Sequence, residues 1–217
     1  MYRALLFDLD GTLAETDSLH LPTWVDALQP YGVEVDEEFY RDRISGRSTA
    51  EIVRELLPNL ADEQGRSIGD AKEANFRERV SDLEPLPGLV AFVERGREVG
   101  MHIALVTNAP EENVEAILLA LKLRNFFDVV VLADEVEAVK PDPAPYRAAL
   151  NKMDVPAEKA LAFEDSVSGI YSSVAAGIPT VGIASSQDPE TLLGAGAFTT
   201  AKDFSDPQLR ALIDMQV

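Results

Sequence analysis

Two aspartates near the start of the chain have the spacing and the surroundings of a group-transfer site. Asp8 and Asp10 come directly after the apolar run at residues 3–7, and Gly11 follows them. A carboxylate placed in line with a phosphorus atom can attack it and form an aspartyl-phosphate. Asp8, at the predicted strand end, suits that role, while Asp10 can protonate the leaving oxygen and later deprotonate the attacking water or alcohol. Gly11 allows the tight turn that brings Asp10 back towards the site.

Further polar side chains follow later apolar runs, where the strands of a parallel sheet would end: Thr107, Asn108, Lys140, Glu164 and Asp165. In an open α/β sheet, ligands bind outside the carboxyl ends of the strands, so we expect these side chains to meet near Asp8. Thr107 can donate a hydrogen bond to a phosphoryl oxygen. Lys140 would offset the charge of an incoming phosphate. We predict Thr107, Asn108 and Lys140 as contacts of the phosphate or the substrate.

The composition restricts the kind of metal that such a site can hold. The chain has no cysteine, which excludes disulfides and thiolate catalysis, and it has only two histidines, which excludes a zinc site rich in His and Cys. Any metal must therefore be a hard cation bound through oxygens. Two or three carboxylates at the predicted strand ends can hold such an ion. The sequence thus favours Mg²⁺ as the cofactor.

The elements that must position these residues alternate along most of the chain. Short, nearly continuous apolar runs are typical of strands buried on both faces, and they lie at 3–7, 102–106, 129–132, 160–163 and 180–183. Segments of helical length lie between them, at 87–99, 111–121, 143–153 and 168–176. This alternation predicts an α/β fold with a doubly wound parallel sheet and right-handed crossovers.

One connection is far longer than a crossover helix requires. Residues 16–82 contain no convincing strand and several amphipathic helical patterns, although a crossover needs only about a dozen residues. We predict an inserted all-α cap at 16–84, placed over the end of the first strand. The α/β core would then comprise residues 1–15 and 85–217, with Pro85 to Gly88 as the return linker.

The motifs, taken in order, resemble those of the haloacid dehalogenase-like superfamily. The first is Asp8-Leu-Asp10-Gly-Thr, and Thr107, Lys140-Pro and Glu164-Asp165 match the other three. The resemblance covers the whole predicted core, and the inserted helices resemble the helical cap of that superfamily. It implies phosphoryl transfer, because the dehalogenases lack the second aspartate. It also implies that Mg²⁺ is bound by Asp8, the backbone carbonyl of Asp10 and Asp165, with Glu164 as a further ligand or a partner of the ligands.

The predicted cap resembles more narrowly that of β-phosphoglucomutase and its sugar-phosphatase relatives. Thr16, His20, Arg47 and Lys72 match positions that contact the substrate, its distal phosphate or the general acid in those enzymes. The residues after Thr107 depart from the mutase pattern and resemble the phosphatase branch, in which arginine is common where Glu111 stands.

The net charge and the hydropathy of the chain exclude some classes of partner. The formal net charge of −19 repels nucleic acid and anionic lipid, so neither is expected as a partner. No stretch approaches the roughly 20 apolar residues of a membrane span, and acidic residues follow the N-terminal apolar run where a signal peptide would have small ones. We expect a cytoplasmic protein. The oligomeric state is not readable from the sequence, and a monomer is compatible with a small cap.

These observations predict a phosphatase that hydrolyses a small phosphorylated metabolite, such as a sugar phosphate or a compound like phosphoglycolate. The first alternative is a phosphomutase of the β-phosphoglucomutase type, which would pass the phosphoryl group to a second hydroxyl. A second alternative is a signalling receiver module phosphorylated on aspartate, although receivers are about half this length and need no cap. A non-catalytic binding protein is disfavoured, because all four motif positions hold chemically competent residues.

Overall fold

The computed structural model describes residues 1–214 and contains one parallel sheet of six strands. The strands are β1 (Ala4–Phe7), β2 (His102–Val106), β3 (Val129–Val131), β4 (Ala160–Glu164), β5 (Thr180–Ile183) and β6 (Thr199–Ala201). Their order across the sheet is β3-β2-β1-β4-β5-β6. The order runs outwards in both directions from β1, which is the arrangement of a doubly wound sheet. The predicted fold class is therefore confirmed.

The helices surround this sheet and fill the long connection after β1. They are α1 (Asp17–Leu28), α2 (Glu37–Arg43), α3 (Thr49–Leu56), α4 (Asp62–Arg77), α5 (Leu89–Glu98), α6 (Glu111–Ala120), α7 (Ala144–Met153), α8 (Val167–Ala175), α9 (Pro189–Gly194) and α10 (Pro207–Asp214). The longest, α4, has 16 residues. Across residues 1–214, none of the helices combines the length and the hydropathy that crossing a bilayer requires.

The centre of the sheet is fully buried because helices cover both of its faces. Every residue of β1 and β4 lies in the interior. Phe7 pairs with Leu105 on one side and with Phe163 on the other, and the rings of Phe7 and Phe163 stack with their centroids 4.9 Å apart. Helices α5, α6 and α10 pack on this face, while α7 packs on the opposite face. This rigid centre holds the ends of three adjacent strands in a fixed relation.

The helices between β1 and α5 enclose an apolar cluster of their own. Trp24, Leu28, Tyr40 and Ile52 are among its buried members, which come from α1, α2 and α3. Ser48 caps α3: its hydroxyl accepts from the backbone N–H of Glu51, whose carboxylate accepts in turn from the backbone N–H of Ser48. Such reciprocal caps begin a helix at a defined residue. The inserted region thus has an internal core in addition to its contacts with the sheet layer.

Candidate active site

The turn after β1 brings its two aspartates to the carboxyl end of the sheet. Asp8 is 8% exposed, and its backbone N–H donates to the carbonyl of Phe163 on β4 at 3.1 Å. Gly11 has a φ of +73°, in the left-handed region that favours glycine. A Cβ at Gly11 would also overlap the carboxylate of Asp165. The turn therefore requires glycine for its backbone conformation and for the close approach of Asp165.

Lys140 connects the carboxyl ends of three neighbouring strands, β1, β2 and β4. Its ammonium donates to Asp8 Oδ1 at 2.6 Å and to the carbonyl of Val106 at 2.7 Å, and it lies 2.6 Å from Glu164 Oε1. Burial alone would lower the pKa of Lys140, but the charges of Asp8 and Glu164 raise it above the ordinary value. Lys140 is therefore held as a cation beside the predicted nucleophile.

Asn108 holds the backbone of Lys140. Its Oδ1 accepts from the backbone N–H of Lys140 at 3.1 Å, and its amide donates to the carbonyl of Lys140 at 3.3 Å. Thr107, next to it, is 2% exposed, and its hydroxyl oxygen accepts from the backbone N–H of Ala109 at 3.0 Å. Within residues 1–214, no group accepts a hydrogen bond from the Thr107 hydroxyl. Asn108 thus positions the backbone of Lys140, the predicted phosphate contact.

Three carboxylates converge beside Lys140. Asp8, Glu164 and Asp165 each offer one oxygen, and these oxygens lie within 4.8 Å of one another. Burial raises the pKa of Asp8 to about 7, although the charge of Lys140 works in the opposite direction. Burial and the nearby charge of Asp8 likewise raise the pKa of Asp165, against a hydrogen bond from Ser186. The cluster therefore lacks positive charge, since Lys140 alone does not offset three carboxylates.

A hard cation fits this group of oxygens. Glu164 is fully buried, and its Oε1 accepts from the hydroxyl of Tyr146 at 2.5 Å. Among the described residues, none donates to its other oxygen, Oε2. An unpaired buried carboxylate oxygen is costly unless a cation or a donor lies near it. Oxygen ligands of this kind suit Mg²⁺.

Asp10 lies outside the carboxylate cluster and has its own partners. Its Oδ1 accepts from the hydroxyl of Thr16 at 2.8 Å and lies 3.4 Å from Nε2 of His20. Nδ1 of His20 lies 2.9 Å from the ammonium of Lys72, so Nδ1 accepts there and Nε2 carries the proton that points at Asp10. Burial alone would raise the pKa of Asp10, but His20, Thr16 and Lys72 together lower it.

The contacts of Lys72 continue across to the sheet layer. Lys72 is 3% exposed and donates to Glu73 at 3.1 Å, and Glu73 also accepts from Asn113 of α6 at 2.6 Å. Arg77 donates to Oδ1 of Asn113 at 2.9 Å. Neither Glu73 nor Asn113 was predicted as a site residue from the sequence. Their only signals were the adjacency of Glu73 to Lys72 and the position of Asn113 early in the helix after Thr107.

Arg47 lies in the turn between α2 and α3. It forms an ion pair with Glu55 at 2.6 Å and donates to the carbonyl of Arg43 at 3.0 Å. A cavity of about 800 Å³ extends from Asp8 to this arginine. Of the predicted site residues, all but Thr16 and Glu164 line it: Asp8, Asp10, His20, Arg47, Lys72, Thr107, Asn108, Lys140 and Asp165. A volume of this size accommodates a small metabolite.

Comparisons with known proteins agree with this geometry. The family model described as haloacid dehalogenase-like hydrolase matches residues 5–183. A phosphorylated carbohydrates phosphatase from Thermotoga maritima is 34% identical over 210 residues, which cover 92% of this chain and 94% of the relative. Protein CbbY from Cereibacter sphaeroides is 34% identical over 189 residues, 82% of each chain. The crystal structure of CbbY from Rhodobacter sphaeroides in complex with xylulose-(1,5)bisphosphate superposes with a TM-score of 0.83 at 30% identity, covering 95% of this chain and 96% of that one.

Proposed function

This chain belongs to the haloacid dehalogenase-like hydrolase family, and on that premise we propose that it is a magnesium-dependent phosphatase of a small phosphorylated metabolite. The observation that carries the proposal is the placement of Asp8 beside Lys140 and Asp165 in the lining of one cavity. The Thermotoga maritima relative, a phosphorylated carbohydrates phosphatase, supports a sugar phosphate as the substrate.

The chemistry proceeds in two steps at Asp8. A carboxylate oxygen of Asp8 attacks the phosphorus, the bond to the leaving oxygen breaks, and the proton of Asp10 passes to that oxygen. A water then attacks the aspartyl-phosphate, Asp10 takes the proton of this water, and the bond from phosphorus to Asp8 breaks. The contact of Asp10 with His20 and the nearby charge of Lys72 favour its carboxylate form, which the second step requires. The negative charge of a bound phosphate shifts Asp10 towards the protonated form that the first step requires.

Magnesium would be held by Asp8, Asp165 and the backbone carbonyl of Asp10, with Glu164 as a ligand or as a support of the ligands. When bound, the ion would supply positive charge that lets a phosphate approach these carboxylates. Lys140 supplies positive charge from the protein side, and Thr107 donates a hydrogen bond to a phosphoryl oxygen.

We further propose that residues 16–84 act as a cap over the core at 1–15 and 85–217. Asp10 receives its contacts from Thr16 and His20, and Lys72 contacts His20 in turn; all three residues lie within the proposed cap. The hydrogen bond from Asn113 to Glu73 joins the core to the cap. Closure of a cap excludes bulk water and completes a catalytic site, so the general acid would be assembled only with the cap in place.

The test is phosphate release from a panel of phosphorylated metabolites, with and without magnesium. The panel includes hexose phosphates, phosphoglycolate and β-glucose 1-phosphate. Magnesium-dependent release that selects one or a few of these compounds is expected. Conversion of β-glucose 1-phosphate into its isomer without release would identify a mutase instead, and a long-lived phosphorylated Asp8 without turnover would identify a receiver.

Magnesium is expected to stabilise the protein less at pH 6 than at pH 8. Below pH 7 the ion must displace a proton from Asp8, because burial raises the pKa of Asp8 to about 7. The apparent affinity should therefore fall about tenfold between pH 8 and pH 6, which removes about 1.4 kcal/mol of stabilisation, or roughly 3–6 °C in Tm. The measurement is thermal unfolding in magnesium chloride at both values of pH.

Without magnesium, the pH dependence of stability that comes from Asp8 has the opposite sign. Because the folded chain holds the Asp8 proton more tightly than the unfolded chain, the contribution of Asp8 to stability is full below about pH 4 and is lost as the pH rises through about 7. For the measurements in magnesium chloride, potassium chloride at equal ionic strength serves as the control. If the rise in Tm caused by magnesium is the same at pH 6 and pH 8, the assignment of Asp8 as a ligand is contradicted.

A further inference from the structure

The loop after β5 contacts the carboxylate cluster, although none of the four motifs includes it. This loop carries Ser185 and Ser186. The hydroxyl of Ser185 donates to the backbone carbonyl of Gly11, in the turn after β1. The hydroxyl of Ser186 lies 2.5 Å from Oδ2 of Asp165 and 3.1 Å from the backbone carbonyl of the same residue. The loop therefore joins the turn after β1 to the end of β4.

The carboxylate of Asp165 is confined by these contacts. Ser186 holds Oδ2, and the backbone of Gly11 lies so close that a Cβ there would overlap the same oxygen. Within residues 1–214, no other side chain donates to the carboxylate of Asp165. The hydroxyl of Ser186 thus engages one oxygen and leaves Oδ1 to a cation.

Glu164 has an equivalent partner in Tyr146 of α7. Both residues are fully buried, and the hydroxyl of Tyr146 donates to Oε1 of Glu164 at 2.5 Å. The ammonium of Lys140 lies 2.6 Å from the same oxygen and 5.3 Å from the centroid of the Tyr146 ring. A Cβ at Gly169 of α8 would overlap the carboxylate, so the backbone of this helix lies directly against it. Oε1 is therefore engaged, while Oε2 has no donor among the described residues.

Tyr146 and Ser186 reach the reacting groups only through these two carboxylates. Neither residue lines the cavity that contains Asp8, and neither step of the proposed mechanism uses them. A hydroxyl that donates to a metal-binding carboxylate limits the rotation of that carboxylate and decides which oxygen faces the ion. The two hydroxyls are thus placed to orient ligands and not to contact a substrate.

We propose that Ser186 and Tyr146 are positioning residues for magnesium, which hold Asp165 and Glu164 so that each carboxylate keeps one oxygen free for the ion. This inference rests on the proposed magnesium-dependent phosphatase and adds two residues to its metal site. The loop after β5 then joins the loops after β1 and β4 as a part of that site.

The chemistry of magnesium makes such support important. Mg²⁺ requires nearly octahedral geometry with its oxygens at about 2.0–2.1 Å, whereas Ca²⁺ accepts longer distances and a flexible arrangement. A carboxylate that rotates freely must be immobilised when the ion binds, which costs affinity. The two hydroxyls should therefore matter more for Mg²⁺ than for Ca²⁺. A residue that only stabilised the fold would not change the selectivity between the two ions.

The experiment measures the Kd of Mg²⁺ and of Ca²⁺ by titration calorimetry in the wild type, Ser186→Ala and Tyr146→Phe. Each substitution removes a hydroxyl, and phenylalanine keeps a ring beside Lys140. Each variant should raise the Kd of Mg²⁺ by about 10- to 100-fold, the usual effect of losing a partner of a metal ligand. The Kd of Ca²⁺ should rise by less than about threefold. Ser186→Thr, which retains a hydroxyl, should restore the affinity for Mg²⁺.

Phosphate release separates the affinity for the ion from the chemistry. The magnesium concentration that gives half of the maximal rate should rise in parallel with the Kd. At saturating magnesium, KM for the substrate and kcat should return to within about threefold of the wild type, because neither hydroxyl lies in the cavity lining.

Two matched controls remove hydroxyls that contact neither Glu164 nor Asp165. Tyr40→Phe removes a buried hydroxyl that donates to the carboxylate of Asp17 at 2.7 Å, and Ser168→Ala alters a serine of the cavity lining. Both controls should leave the Kd of both ions unchanged.

The outcomes distinguish this inference from the function on which it rests. If the wild type releases phosphate with magnesium but both variants keep its Kd, the positioning role is overturned and the phosphatase stands. An equal loss of affinity for Mg²⁺ and Ca²⁺ also overturns it. If Tyr146→Phe does not fold, Ser186→Ala decides alone, since Ser186 lies in a half-buried loop. A wild type that neither binds magnesium nor releases phosphate overturns the proposed function, and the positioning role falls with it.

Discussion

Replacing Asp8 with asparagine is expected to lower turnover by about 10⁴-fold or more while the protein stays folded. Asparagine has nearly the same shape as aspartate, but its amide does not attack phosphorus. Lys140 keeps its contacts with Glu164 and with the carbonyl of Val106, so the variant leaves no isolated buried cation. The measurement is phosphate release under magnesium saturation, together with thermal unfolding of both proteins.

A second readout of the same variant tests the intermediate directly. Enzyme quenched in acid during turnover should yield a phosphorylated peptide that contains Asp8, and the variant should yield none. Asp42→Asn, an exposed carboxamide replacement outside the cavity, should behave as the wild type. More than about 1% residual activity in purified Asp8→Asn would contradict covalent catalysis at this residue, because loss of an obligatory nucleophile removes far more than that.

Replacing Asp10 with asparagine is expected to lower turnover of a sugar phosphate by about 10²- to 10⁴-fold, the usual range for a general acid and base. The carboxamide keeps an oxygen that accepts from Thr16 and His20, so the surrounding contacts survive. The variant loses both the proton for the leaving oxygen and the base for the attacking water. Steady-state kinetics on the best substrate of the panel measures this loss.

The leaving group separates the two roles of Asp10. p-Nitrophenolate is a good leaving group and needs little protonation, so the first step should remain fast in Asp10→Asn. Hydrolysis of the aspartyl-phosphate should stay slow, because no base activates the water. Rapid mixing should therefore show a burst of about one nitrophenolate per enzyme, followed by slow turnover. Equal losses with both substrates and no burst would argue against Asp10 as the proton donor and acceptor.

The sheet could be predicted from the sequence because its strands are buried on both faces. The runs at 102–106 and 180–183 coincide with β2 and β5, and β4 continues one residue past the predicted end, to Glu164. Strand β6 was missed, because its three residues, Thr199–Ala201, form no continuous apolar run. It lies at the edge of the sheet, where one side of the strand has no neighbour, and such strands have weak sequence signals.

The residues at the carboxyl ends of the strands could also be predicted from the sequence. Once a strand is located in a parallel sheet, the residues that follow it must lie at the edge where ligands bind. What the sequence did not reveal was which polar groups are paired. Glu73 and Asn113 are separated by 40 positions, and each lies in a helix with many polar residues. Lys72 also lies in a helix with many polar residues, yet it is 3% exposed. Contacts between polar residues on different elements depend on how helices pack, and periodicity does not encode this.

The central position of β1 has a consequence for biosynthesis. Ala4 of β1 pairs with His102 on one side and with Ala160 on the other, so the first strand made needs partners from the middle and the far part of the chain. At about 5–20 residues per second, roughly 8–30 s pass between the synthesis of β1 and that of β4. During that time an apolar strand emerges from the ribosome with at least one edge unpaired, and such edges invite association with other chains. The strand that carries the proposed nucleophile is therefore the one that most needs shielding while the chain is being made.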